Sequence, residues 1–178
     1  MACLPNFIYT ALYSLNELTL TVDANYTKKT LDFLKNDLNS QFEVLVDFTV
    51  VDYPENKKRF EAVYFLLSIT YNTRIRLKTH VNEMFLLEST TDLYKSANWS
   101  EREVWDMFGI PFNNHPDLRR VLTDYSFDGH PLRKDFPLNG FSAVRYDDTQ
   151  KIIVYEETEL AQEYRNFDFQ SPWSSINR

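Results

Sequence analysis

"FEVLVDFTVVDYPENKKRFEAVYFLLSITYNTRIRLKTHV", residues 42–81, holds three apolar runs separated by two short polar breaks. The first run alternates and sets Phe42, Val44, Val46, Phe48 and Val50 on one side. The turn "PENKK" (54–58) follows it. The second run, "FEAVYFLLSIT", is apolar on both faces, as a central strand must be. "NT" (72–73) then turns the chain into "RIRLKTHV". Here Ile75, Leu77 and Val81 point inward, while Arg74, Arg76, Lys78 and His80 point outward. Three successive strands joined by short turns predict an antiparallel meander.

Upstream, "ELTLTV" (17–22) alternates, with Leu18, Leu20 and Val22 on one face, and reads as a further strand. Thr27, Leu31, Leu34 and Leu38 recur at helical spacing and predict an amphipathic helix over about 25–39. Downstream, Ser100 and Glu103 form an S-x-x-E capping box, Trp99 and Val104 a hydrophobic staple, and Gly109 a C-terminal stop. This predicts a helix over 101–108. The fold class is α+β: an antiparallel or mixed sheet with packed helices over 1–108, then a long irregular extension over 109–178.

The extension differs in composition. It holds five of the seven prolines and all three glycines, and it shows a period only in a short hairpin around 144–155. It also carries eleven aromatic residues: Phe112, Tyr125, Phe127, Phe136, Phe141, Tyr146, Tyr155, Tyr164, Phe167, Phe169 and Trp173. A disordered tail is poor in such residues. Irregular segments of this length are uncommon unless functional. The extension is therefore expected to bury its rings against a partner protein.

Bulk composition narrows the function classes. The chain has 178 residues, a net charge of −7 and 43% hydrophobic residues. An acidic balance argues against an electrostatic grip on nucleic acid. Apolar runs such as "YFLLSI" fall well short of the roughly 20 residues a membrane helix needs. The single cysteine, Cys3, forms no internal disulfide and ligates no iron–sulfur cluster alone. No Lys or Arg precedes Lys28, so neither a secretory signal nor an Arg-rich presequence is visible. Abundant Phe, Tyr and Asn with scarce Gly suggest an AT-rich, organelle-type genome.

Apparent chemistry is thin. His115 and His130 stand fifteen positions apart without zinc-ligand spacing and precede prolines in turns. Glu101, Glu103 and Asp106 share a helix with Arg102. Glu103 is assigned to the capping box, and Arg102 and Asp106 can pair at i,i+4. Three isolated glycines make no phosphate-binding loop, and no Ser stands in a strand-to-helix elbow. The basic pairs Arg119–Arg120 and Arg133–Lys134 sit among Leu, Pro and Phe. They fit guanidinium forks onto a partner's carboxylates.

"EREVWDMFGIPFNNHPDLRRVL" (101–122), "GHPLRKDFPLNG" (129–140), "VRYD" (144–147) and "QEYRNFDFQSPW" (162–173) resemble the thirty-kilodalton subunit family of the respiratory-chain NADH dehydrogenase. The resemblance covers nearly the whole chain and is densest over 97–173. It implies a core, cofactor-free subunit of complex I that braces the quinone-reducing module for electron transfer from NADH to ubiquinone. Enzyme activity then belongs to the proton-translocating complex, with no catalytic, cofactor-binding or metal residues in this chain. FMN and iron–sulfur clusters are expected in other subunits. The implied partners are the forty-nine-kilodalton quinone-site subunit and the neighbouring iron–sulfur subunits. The implied location is peripheral, on the matrix side of the mitochondrial inner membrane. Arg119, Arg120, His130, Arg133, Lys134, Asp135, Phe136, Arg145, Phe167, Phe169 and Trp173 are the expected interface residues. Two alternatives stand beside this reading. One is a stand-alone metal- or carboxylate-dependent enzyme using Glu101, Glu103, His115 and His130. The other is the equivalent subunit of a related bacterial or chloroplast complex.

Overall fold

The structure is a computed structural model that describes residues 7–167 and 169. Strands β1 (Ile8–Ser14) and β2 (Glu17–Val22) form a hairpin whose turn places Leu15 and Asn16 at positive φ. A single 3-10 turn, Ala24–Tyr26, starts where the Asp23 carboxylate accepts the Asn25 amide. It leads into α1 (Thr27–Asn36). The meander follows as β3 (Val44–Asp52), β4 (Phe60–Ser68) and β5 (Thr73–Val81). The short β6 (Leu87–Glu88) precedes α2 (Ala97–Phe108), and β7 (Phe112–Asn113) pairs with β6 in parallel. β8 (Ser142–Asp147) and β9 (Ile152–Glu157) form a separate hairpin.

The main sheet has the order β1-β2-β5-β4-β3. The meander is antiparallel as expected, but β2 joins it by running parallel to β5. That pairing makes the sheet mixed, with α1 and the first two meander strands forming the crossover. One sheet face meets the helices. Leu20, Val22, Phe48, Val50, Phe60, Tyr64, Leu66 and Leu77 lie there, buried with Leu31 and Leu34 of α1 and Val104 of α2. Each large side chain in this core contributes about 1.5–3 kcal/mol by leaving water. The other face carries Lys78 and His80 beside Glu61, and Arg76 beside Glu17 and over the Phe65 ring.

Three local expectations change. A bulge between Leu45 and Asp47 shifts the register of β3. Leu45 therefore turns inward with Phe48 and Val50, and Val46 is left exposed. One extra residue moves a side chain to the opposite face. α1 ends at Asn36, because the Asp37 amide closes onto the Phe33 carbonyl and the chain leaves the helix, which exposes Leu38. α2 starts at Ala97, ahead of the expected Glu101. Turns bonded from Leu93, Tyr94 and Ala97 lead into it, so Trp99 and Ser100 lie inside the helix and no capping box forms. Trp99 packs under Arg102, with the guanidinium 4.9 Å from its ring centre.

The division of the chain also changes. The chain splits into two compact units, Met1–Leu138 and Asn139–Arg178, where the sequence suggests a boundary after Phe108. Residues 110–138 belong to the first unit because they finish its core and the end of α2. Phe112 is buried and meets Phe48 edge-on at 5.8 Å, and the Phe127 and Phe136 rings lie 5.9 Å apart.

Candidate functional site

A helix leaves its last carbonyls unbonded, and a buried helix end needs partners for them. α2 receives these partners at its very end, one from the last rung of its own ladder and three from outside it. The Gly109 amide donates to Trp105 at 2.9 Å and the His130 Nδ1–H to Asp106 at 2.9 Å. The Leu132 amide donates to Met107 at 3.1 Å and Arg133 Nε to Phe108 at 2.6 Å. The stretch "GHPLRKD" is thus a cap for α2, laid across its C-terminal end. Gly109 makes this approach possible. Its φ is +75°, and a Cβ there would stand 2.5 Å from the His130 ring and 2.6 Å from Arg133 Nη2.

The Asp106 carboxylate ties the preceding loop to the same helix. Its Oδ2 accepts the amides of Val121, Leu122 and Thr123 at 3.0, 2.7 and 2.9 Å. Its Oδ1 accepts Arg120 Nη1 at 2.9 Å and the Thr123 hydroxyl. Burial alone would raise this carboxyl. The Thr123 hydroxyl and the three amides outweigh burial and hold it well below the usual carboxylate range. Arg120 also donates to the Gly129 carbonyl at 3.0 Å, joining the two loops. Arg102 donates to the carbonyls of Arg119 and Arg120, so the expected Arg102–Asp106 pairing is replaced by two links to the loop.

A second cluster fastens the next residues to the sheet. Arg59 bonds both oxygens of buried Asp52, at 2.7 and 2.9 Å. It also reaches Glu83 at 2.7 Å and Asp135 at 2.9 Å. The Lys134 amide completes Asp52 at 2.8 Å. Arg59 holds the carboxyls of Asp52 and Asp135 below their ordinary value, and they in turn raise the guanidinium. One arginine thus connects the β3–β4 turn, the segment after β5 and the loop at 135.

A third carboxylate, Glu101, is fully buried. It accepts the Thr90 amide and hydroxyl at 2.7 and 2.8 Å and the Ser89 hydroxyl at 2.7 Å. Burial raises its pKa, against the opposing pull of these donors. His115 stands 3.9 Å away. Its Nδ1 accepts the Asp117 amide, so its proton sits on Nε2, which faces the Asn98 carbonyl at 3.3 Å. His130 carries its proton on Nδ1. Burial first, then Arg133 and Arg120, lowers its pKa, which keeps it neutral near pH 7. Among the described residues, no group of three or more His, Cys, Asp or Glu could hold a metal ion. The residues of the stand-alone enzyme alternative do not converge. Glu101 and His115 meet, while His130 caps the far end of α2 and Glu103 is exposed.

The expected interface residues thus fall into two groups. Arg120, His130, Arg133, Lys134, Asp135 and Phe136 serve the first unit internally. Lys134 also sets its Nζ 5.5 Å from the Tyr53 ring centre. Arg119 is exposed and pairs with Asp117 at 2.8 Å. In the second unit, Arg145 pairs with Glu156 across the β8–β9 hairpin at 2.6 Å. Phe167 and Phe169 are exposed, with ring centres 6.2 Å apart. Trp173 lies outside the described residues. Sequence reasoning missed Asp52, Arg59 and Glu83. Their one local signal is an Arg closing a Lys-rich turn ahead of an apolar strand.

Comparison with known proteins places this architecture. Residues 20–142 match the family described as "Respiratory-chain NADH dehydrogenase, 30 Kd subunit". The chain is 53% identical over 174 residues to NADH-ubiquinone oxidoreductase subunit 9 of Prototheca wickerhamii, covering 98% of this chain and 91% of that one. It is 55% identical over 172 residues to the subunit 9 of Reclinomonas americana, covering 97% and 84%. It is 56% identical over 155 residues to NADH dehydrogenase (ubiquinone) iron-sulfur protein 3 of Beta trigyna, covering 87% and 81%. Among solved structures, the trypsin-resistant fragment of Nqo5 matches with a TM-score of 0.56 and 32% identity, over 62% of this chain and 89% of that one. A chain of an archaeal membrane-bound sulfane sulfur reductase matches with a TM-score of 0.64 and 25% identity, over 75% and 79%. With a family match across most of the sequence, and relatives 53% and 55% identical over nearly its full length, this chain belongs to the respiratory-chain NADH dehydrogenase 30 Kd subunit family.

Proposed function

We propose that this chain is a cofactor-free core subunit of the peripheral arm of NADH:ubiquinone oxidoreductase. It braces the quinone-reducing module so that electrons pass from NADH to ubiquinone between redox centres held by its neighbours. Its activity is that of the whole proton-translocating complex. Its partners are the forty-nine-kilodalton quinone-site subunit and the adjacent iron–sulfur subunits, on the matrix side of the mitochondrial inner membrane. The names of its relatives, each taken from an NADH–ubiquinone oxidoreductase, support this placement. One relative is named an iron-sulfur protein, yet a cluster needs several thiolates and this chain has a single cysteine. That count favours clusters held by neighbours.

The observation that carries the reading is the second unit. β8 and β9 form a two-stranded hairpin, and Val144, Tyr146, Ile152, Ile153 and Tyr155 are exposed along it. Phe141, Tyr164, Phe167 and Phe169 add four more exposed rings. A lone hairpin is marginally stable in water. Val144 and Tyr155, and Tyr146 and Ile153, are cross-strand partners, and exposed apolar side chains gathered in this way mark a protein interface. Within the first unit, the carboxylates of Asp52, Asp106 and Glu101 are each saturated by donors of the same chain, which suits a rigid brace.

Affinity purification of the tagged chain from its native membranes tests the proposal. The full chain is expected to bring down the complex with its flavin and NADH:ubiquinone reductase activity. The chain expressed alone is expected to hold no flavin or iron. A chain cut after Leu138 is expected to fold yet enter no complex. Recovery of the full chain as a monomer with bound metal and its own turnover would refute the proposal.

A further inference from the structure

The two edges of the main sheet are treated differently. At the β3 edge the chain occupies its own backbone groups. The Asp47 carboxylate accepts the Phe48 amide at 2.8 Å, the Ser96 hydroxyl donates to the Leu45 carbonyl at 3.1 Å, and the Tyr94 hydroxyl donates to the Phe42 carbonyl at 2.8 Å. The bulge at Leu45/Asp47 bends that edge further. These are the usual devices that stop a sheet from recruiting another strand. β1, at the other edge, has none of them along its regular ladder. Among the described residues it pairs only with β2, and its sequence IYTALYS contains no charged residue and no proline. Its single irregularity lies at the start, between Ile8 and Thr10, and the pairing is unbroken from Thr10 to Ser14. Among the described residues, no side chain bonds to the backbone of Ile8–Ser14.

The surroundings of this edge are shaped to match. On the helix side of β1 a groove of about 940 Å3 is lined by Ile8, Ala11, Leu18, Leu34, Phe42 and Ile75. At the hairpin tip Leu15 is 97% exposed with φ at 52°. A bulky apolar residue is disfavoured there twice, by its backbone and by its exposure. At the opposite end, Lys57, Lys58 and His80 surround Tyr9, whose hydroxyl donates to the Asp23 carboxylate, so two lysines face one acid there.

We propose that the β1 edge is a strand-addition site. It receives an extended segment of another polypeptide in the assembly, apolar at alternate positions and carrying a carboxylate at one end. The inference rests on the subunit role proposed above and assigns it a second contact surface, apart from the C-terminal unit. The chemistry of the edge selects the occupant. A row of backbone donors and acceptors at strand spacing is matched by another extended backbone, and side-chain pockets alongside select its sequence. Every second residue of the added strand falls over the apolar groove. Its end near Tyr9 meets the two lysines. β1 itself carries no carboxylate, and two lysines against the single Asp23 favour an acidic residue from a different polypeptide.

The test uses the assembled complex. Hydrogen exchange is compared between the chain alone and the chain in its assembly, together with a photo-crosslinking residue placed at Leu12. Peptides spanning 8–14 are expected to exchange at least about tenfold more slowly in the assembly, as occluded ladder amides do. The crosslink is expected to join one other polypeptide. Leu12→Lys, at an exposed position, is expected to keep the urea midpoint of the isolated chain while reducing its recovery in the complex. Unchanged exchange at 8–14 in an assembled complex, or crosslinks confined to this chain or to a second copy, overturns the inference and leaves the subunit role standing. A chain that enters no assembly overturns both.

Discussion

Replacing Gly109 with alanine tests whether the α2 cap holds the first unit together. The residue sits at φ +75°, where alanine is disfavoured by about 1–2 kcal/mol. The new methyl would stand 2.5 Å from the His130 ring and 2.6 Å from Arg133 Nη2, so both side chains must move. Displacing His130 from the Asp106 carbonyl forfeits about 1 kcal/mol, and displacing charged Arg133 from the Phe108 carbonyl about 1.5–3 kcal/mol. Reduced freedom of the unfolded chain returns about 0.4–1 kcal/mol. The net loss is about 2.5–5.5 kcal/mol. With a urea slope of about 2 kcal/mol/M, the midpoint should fall by about 1–3 M. Urea titration followed by the fluorescence of Trp99 and Trp105, both on α2, reads this directly. Adding His130→Ala removes one of the clashing groups, so the double variant should lose at least about 1 kcal/mol less than the two single losses combined. A Gly109→Ala loss below about 1 kcal/mol, or strict additivity with His130→Ala, would refute the argument.

Asp106→Asn should cost about 3–5 kcal/mol by urea titration, because it leaves Arg120 facing a neutral group at a buried site. The folded pKa of Asp106 is depressed, so its stabilisation is complete above the unfolded value of about 3.9 and is lost as pH falls below it; this acid-dependent slope should shrink in Asp106→Asn. Glu101 has the opposite sign. Its folded pKa is raised, so its contribution weakens as pH rises through that folded value, and Glu101→Gln should remove this dependence at a cost under about 1 kcal/mol near pH 7. Arg59→Met should cost about 3–5 kcal/mol by stranding buried Asp52. Asp135→Asn should cost under about 1 kcal/mol, since Asp135 is mostly exposed.

The parts of the fold read correctly from the sequence are those set by neighbours in the chain. The meander over 42–81 shows through because alternation and short turns are local signals. The hairpin near 144–155 and the stop at Gly109 show through for the same reason. The parallel pairing of β2 with β5 does not, since it joins strands far apart along the chain. The β3 bulge inverted the expected orientation of Val46 because alternation assumes an unbroken register. Ser100 and Glu103 spell a capping box, yet the turns at 90–97 start the helix before that motif can act. Asp106 and Arg120 were both visible as charged residues. Their meeting was not, because it requires the loop after α2 to fold back on the helix. The same fold-back explains why residues 110–138 read as a partner-binding tail: their polar groups match acceptors that only the folded helix presents.

The donors that finish α2 lie well downstream of its last turn. Synthesis proceeds from the N-terminus, so the ribosome releases the helix before it releases His130, Leu132 and Arg133. A nascent chain that stops short of this stretch holds a sheet and a helix whose final carbonyls face water. Maturation of the first unit is therefore timed by the emergence of one short segment, and prematurely terminated products carry an open helix end for quality-control proteases to find.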